Sequence, residues 1–205
     1  MSEKQTLLPT ATATIVVDSS TGKWRDGLCN IFSHCFKPVC LKTWFCSSCL
    51  LGQVMSRVGL DTTANPTSPD VAKKTFCRIF TIFFAYFVTM AILDSTFPKK
   101  EVCEDEFCYS VFENESVTTS VNLLKFVVGL YFLIITCKTR KYIREKNQIP
   151  GNECEDLVCA WCCNCCTIGQ MARHTADYDT EVDEFFTFDG LQEKPPEAEA
   201  VQIMA

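Results

Sequence analysis

The sequence predicts a mainly α-helical membrane protein, built as a two-helix transmembrane hairpin flanked by two small cysteine-rich modules related as a degenerate repeat. Three observations predict it. Two apolar stretches, Phe76 to Leu93 and Val121 to Cys137, approach the length a helix needs to cross a bilayer. Basic residues flank the pair on its outer sides, whereas the segment between the stretches is acidic. A Cys-x-x-Cys-x-x-Gly-Gln pattern occurs once before the first stretch and once after the second.

Residues 1–23 are rich in Thr, Ser and Ala, lack helical or strand periodicity and read as a disordered tail without a cleaved signal. Residues 24–60 form the first module, with Cys29, Cys35, Cys40, Cys46 and Cys49. A polar linker with two prolines follows over 61–75. The first span, 76–93, carries a single charge, Arg78, near its start. Eighteen helical residues rise roughly 27 Å, close to the hydrocarbon thickness of a bilayer. The second span, 121–137, contains Lys125 about one turn from its start, where a long stem reaches the interface.

Lys73, Lys74 and Arg78 precede the first span, and Lys138, Arg140, Lys141, Arg144 and Lys146 follow the second. The loop 94–120 holds seven acids against Lys99 and Lys100. Basic residues next to spans stay in the cytosol, so both termini are expected there, with the loop outside and the plasma membrane as the location. An oxidising exterior suits a Cys103–Cys108 disulfide, which would contribute roughly 2 kcal/mol by closing a short loop. Asn114-Glu115-Ser116 is a glycosylation sequon in the same loop.

The second module, 138–176, contributes Cys154, Cys159, Cys162, Cys163, Cys165 and Cys166. Its Cys163-Asn-Cys-Cys166-Thr-Ile-Gly169-Gln170 parallels Cys46-Ser-Ser-Cys49-Leu-Leu-Gly52-Gln53. Each copy is expected to start a short helix after its last cysteine. The end of the chain, 177–205, carries nine acids and one Lys and reads as an acidic disordered tail. The rest is close to neutral, which argues against nucleic acid as a partner.

Trp24-Arg-Asp-Gly27-Leu-Cys29, then Cys40-Leu41 and Cys46-Ser-Ser-Cys49-Leu-Leu-Gly52-Gln53, resemble the placenta-specific-8 family. That group includes cornifelin, the plant cadmium-resistance proteins and the cell-number regulators. Arg144, Pro150-Gly151-Asn-Glu-Cys154-Glu-Asp156, Trp161-Cys162-Cys163 and Gln170 agree as well. The family's Cys-Pro-Cys hallmark is replaced here by Cys46-Ser47-Ser48-Cys49. Resemblance to the cadmium-resistance members implies handling of soft cations.

Thiolates suit zinc, copper(I) and cadmium. Cys46 and Cys49 with Cys163 and Cys166 would make a four-sulfur zinc site, and Cys162 with Cys165 has the same spacing as a rival pair. Structural disulfides and lipidation of Cys40, Cys77 and Cys137 near the bilayer stay open beside it. His34 and His174 read as surface or packing residues, and Trp44 and Trp161 as interface anchors or small-core residues. The sequence holds no phosphate-binding Gly loop, Gly-x-Ser-x-Gly element or His-Glu-x-x-His helix, so an enzyme is not expected.

Two functions remain. One is divalent or heavy-metal cation transport or homeostasis by a homo-oligomer, because two helices enclose no hydrophilic path alone. The other is a non-transporting membrane scaffold or regulator of growth or signalling, whose acidic tail binds a cytosolic protein. Thr81, Thr89, Lys125 and Thr136 place polar groups in the spans but no acid lines them, which weighs against a selective pore.

Overall fold

The computed structural model describes residues 22–28, 30, 38–104, 107–178 and 180–192. Residues 1–21 of the expected tail 1–23, residues 193–205 of the acidic tail, and Cys29, His34 and Cys35 lie outside the described residues. The chain is mainly helical. Its elements are α1 (Pro38–Phe45), α2 (Ser47–Val58), α3 (Pro69–Ala72), α4 (Thr75–Thr96), β1 (Lys99–Glu104), β2 (Phe107–Phe112), α5 (Glu115–Lys146), α6 (Glu153–Cys162) and α7 (Asn164–Thr175).

The helices α2 and α7 begin directly after the first cysteine of the shared pattern, three residues before the expected starts after Cys49 and Cys166. Cys46 caps α2 with φ −145° and ψ 55°, and Cys163 caps α7 with φ −142° and ψ 56°. Gly59 ends α2 in the left-handed region at φ 84°, which glycine adopts without steric cost. Asn152 caps α6, its side chain accepting from the Glu155 N–H at 2.8 Å. Glu153, Glu155 and Asp156 then sit in the first turn, where negative charge complements the helix dipole.

The core lies between α2, α4, α5 and α7. Leu50, Leu51, Val54 and Met55 of α2 are fully buried against Ile79 of α4, Ile135 and Ile143 of α5, and Ile168 and Met171 of α7. α2 is central and packs on α1, α4, α5 and α7, while α6 packs on α5 and α7. Each long helix therefore buries one end in the cysteine modules and leaves the other end bare.

Pro69–Thr96 and Glu115–Lys146 are both long and apolar enough to cross a membrane. Only 11 % and 17 % of their apolar windows are buried, unlike the core helix of a soluble domain. Phe84, Phe87, Leu123 and Phe126 are all more than half exposed. The two helices make no extended contact with each other and meet where the Phe83 and Phe132 rings stand edge to face, 6.4 Å between centroids. Gly129 faces open space, so it is not the close-contact point that a packed helical hairpin would require.

Several boundaries differ from the sequence expectation. α5 runs 32 residues, well beyond 121–137 at both ends, so the second module starts on the same helix as the second apolar stretch. The expected loop 94–120 contains an antiparallel β hairpin with Lys99 opposite Phe112 and Cys103 opposite Cys108. The linker 61–75 is fixed rather than free. Asp61 accepts from the N–H groups of Thr63 and Asn65, Tyr131 donates to the Thr62 carbonyl, and Lys138 donates to the Thr63 carbonyl. The Tyr131 and Lys138 bonds tie the linker to α5; against desolvation, the hydrogen bonds from Asn65 and Thr63 and the Lys138 charge hold the Asp61 carboxyl below its usual range.

The segment 177–192, expected as the start of a disordered tail, docks on α1 and α2. Lys42 is 4 % exposed and donates to Asp183 Oδ1 at 2.5 Å and to the Glu184 carbonyl at 2.6 Å. Gln53 Nε2 donates to the Phe185 carbonyl at 2.8 Å, and Arg57 donates to the Asp189 carbonyl. The segment stays in place because its carbonyls satisfy buried donors of α1 and α2.

Candidate functional site

The basic end of α5 meets the second cysteine module in a buried polar network. Asp156 of α6, 2 % exposed, lies between two arginines of α5. Its Oδ2 accepts from Arg144 Nε at 3.2 Å and Nη2 at 3.1 Å, and its Oδ1 is 3.2 Å from Arg140 Nε. Arg140 also donates to Gln170 Oε1 at 2.5 Å, and its guanidinium lies 4.5 Å from the Trp24 ring centroid. Gln170 Nε2 donates to the Asp26 carbonyl, and Arg173 Nε donates to Asp26 Oδ2. Thus Asp156 locks α5 to α6, and Gln170 with Asp26 locks α7 to α5 and to the segment around Trp24.

Gln53 occupies a parallel position in α2. It lies 3.5 Å from the buried ammonium of Lys42 and donates to loop carbonyls, as Gln170 does beside Arg140. Burial pushes the Lys42 ammonium below its usual range, and the Asp183 partner only partly offsets this. His174 accepts from the Arg25 backbone N–H at 3.2 Å and stands edge-on to Trp24. Desolvation and the nearby Arg25 cation lower its pKa, against a weaker opposite effect of Asp26. His174 is therefore a packing residue.

Four cysteine side chains gather beside this network. Cys40 of α1 and Cys166 of α7 are buried, and Cys163 and Cys165 pack against them with Leu28. The Cys163 and Cys166 sulfurs are 3.2 Å apart. Burial, then hydrogen bonding to Cys163 and the neighbouring thiols, pushes the Cys166 thiol up to about 12. Burial also raises Cys159, with Arg140 opposing it. Cys154 and Cys162 are exposed.

Cys46 and Cys49 are bonded to each other, whereas Cys163 and Cys166 keep free thiols. Among the described residues, no three His, Cys, Asp or Glu side chains are arranged to hold a metal ion. Cys103 and Cys108 are joined by a disulfide across the β hairpin. Asn114 caps α5, its side-chain oxygen accepting from the Ser116 N–H at 2.9 Å. Of the residues considered for lipidation, Cys77 is exposed, Cys40 is 3 % exposed, and the Cys137 thiol points at the Asp156 carbonyl.

The sequence profile of the PLAC8 family matches residues 24–174, which takes in both cysteine modules and both long helices. The chain belongs to the PLAC8 family. No curated protein and no solved structure matches it. The PLAC8 match starts at Trp24, which stacks on Arg140, and ends at His174, which packs on Trp24. The docked segment 177–192 lies beyond the PLAC8 match. Sequence reasoning noted Asp156 and Gln170 without assigning them a role, took Arg140 and Arg144 only as basic flanks of the second span, and missed Lys42, Arg140 and Arg144 as buried cations. The Gly-Gln step of the repeated pattern was the available signal, because an amide placed among apolar helix residues needs partners.

Proposed function

We propose that this PLAC8-family chain is a two-span membrane protein of the plasma membrane that acts as a non-enzymatic scaffold or regulator. Its two modules sit together on the cytosolic face. One observation carries this reading. The basic ends of both apolar helices converge on one packed unit, through Gly52 against α4 and Asp156 against α5, while the remaining apolar surface stays bare. A bilayer is the solvent that suits such a surface.

The threonines of the spans support a non-conducting role. Thr81, Thr89 and Thr136 each donate to their own helix, to the carbonyls of Cys77, Ala85 and Phe132. No acid lies between residues 76 and 93 or between 121 and 137. A selective path needs polar groups turned toward an ion. The docked acidic segment leaves Phe186 77 % exposed beside Asp183 and Glu184, which suits contact with a cytosolic protein.

A second reading, soft-cation homeostasis by a homo-oligomer, is favoured by the gathering of Cys40, Cys163, Cys165 and Cys166. The two readings separate in vesicles reconstituted with the full chain. The scaffold reading predicts no zinc or cadmium flux above that of empty vesicles. Saturable flux, lost on replacing those cysteines, would establish the second reading instead.

A further inference from the structure

The Cys163–Cys166 pair is not accounted for by anchoring. Its two sulfurs approach to 3.2 Å without a bond, at the start of α7. The same backbone occurs at the start of α2. There Cys46, with capping torsions within a few degrees of those of Cys163, is bonded to Cys49 at a Cα separation of 5.3 Å. That separation is ordinary for a disulfide. The first turn of α7 thus offers the backbone that carries a bond in α2.

The two sulfurs differ in access. Cys166 is 5 % exposed and covered by Cys40 and Leu28, whereas Cys163 is only partly buried. A nucleophile that meets an incoming reagent and a buried partner that resolves the adduct need this asymmetry.

We propose that Cys163 and Cys166 form a redox-active dithiol that closes reversibly by exchange with a small-molecule disulfide of the glutathione class. The Cys163 thiolate attacks one sulfur of the reagent, whose S–S bond breaks and releases one thiolate. The Cys166 thiol then gives up its proton and attacks the Cys163 sulfur, expelling the second thiolate. Two protein thiols become one disulfide, the reagent disulfide is reduced to two thiols, and the two protein protons end on the released thiols. The reverse sequence reopens the pair. This chemistry goes beyond the anchoring role and does not depend on it.

The test uses the full chain in detergent, equilibrated in glutathione buffers from fully reduced to fully oxidised, then alkylated and digested. Mass spectrometry reads the peptide that contains both residues. The proposal predicts that this peptide loses two hydrogens and its alkylation at Cys163 and Cys166 together as the buffer becomes oxidising, and regains both on reduction. Cys166→Ser, lacking the resolving thiol, should hold one glutathione on Cys163, and Cys163→Ser should hold none at Cys166. Both thiols remaining alkylated at every ratio would overturn the proposal. So would oxidation that links Cys163 to Cys162, Cys165 or Cys40. The wild-type digest decides the matter alone if either variant fails to fold.

Discussion

Gly52 of α2 lies so close to Ile79 of α4 that a Cβ added at Gly52 would sit 3.2 Å from the Ile79 Cβ and 3.3 Å from the Phe76 Cα. This contact joins the first module to the first apolar helix. Gly52→Ala should be mildly destabilising, because Ile79 must yield by a few tenths of an ångström. Gly52→Leu should cost about 1–3 kcal/mol by overpacking and lower the thermal midpoint in detergent. Gly129→Leu, at a site facing open space, should leave that midpoint unchanged. Equal effects at the two glycines would remove α2–α4 packing from the account.

Asp156 holds the second apolar helix. Asp156→Ala would leave Arg140 and Arg144 buried without their counter-ion, a change that costs about 3–5 kcal/mol when a buried pair is broken. Asp156→Asn keeps the shape and should cost less. Thermal unfolding of both variants checks the order, and a silent Asp156→Ala would show that α6 is held to α5 by apolar packing alone.

The apolar helices were legible because Phe76–Leu93 and Val121–Cys137 are almost free of charge. Their ends were not. Arg140 and Arg144 read as solvated flanking charges, yet Asp156, twelve or more residues later, buries both and carries α5 on to Lys146. The β hairpin was hidden because alternation over Lys99–Phe112 is masked by acids and by the paired cysteines. Asp183 and Asp189 read as tail acids, since nothing local announces that Lys42 and Arg57 await a carboxylate and a carbonyl across the chain. The cysteine pattern placed both module helices but put their starts after Cys49 and Cys166, three residues late, and spacing alone does not say which thiols meet. Cys40, given no part in the metal reading, is the one found beside Cys166.

Lys42 predicts how the acidic segment is held. Lys42→Ala removes the donor to Asp183 and Glu184 and should free residues 183–191 without melting α2. Hydrogen exchange reads this at the Glu184 and Gln192 amides, which bond to the Gly190 and Val182 carbonyls. Both should lose protection. Protection equal to wild type would mean that Gln53 and Arg57 suffice to dock the segment.

His174 gives a pH dependence. Its folded pKa lies below the ordinary value of 6.5, with desolvation the main cause. The unfolded chain therefore takes up the proton first as pH falls, so stability is full above 6.5 and declines as pH drops below it. The thermal midpoint should decrease between about pH 7 and about pH 5 more in wild type than in His174→Asn, whose amide oxygen can still accept from Arg25. Parallel pH profiles would remove His174 from the stability of the fold.

The central claim is that both modules share one face of a membrane and the β hairpin occupies the other. Labelling by a membrane-impermeant thiol reagent in intact cells tests it most directly. Single cysteines at position 162, which is native, and at Ser110→Cys, both exposed sites, would be placed in a background lacking the other thiols. The account predicts that position 110 is labelled in intact cells and position 162 only after permeabilisation. Labelling of both positions in intact cells, or of position 162 alone, would contradict it.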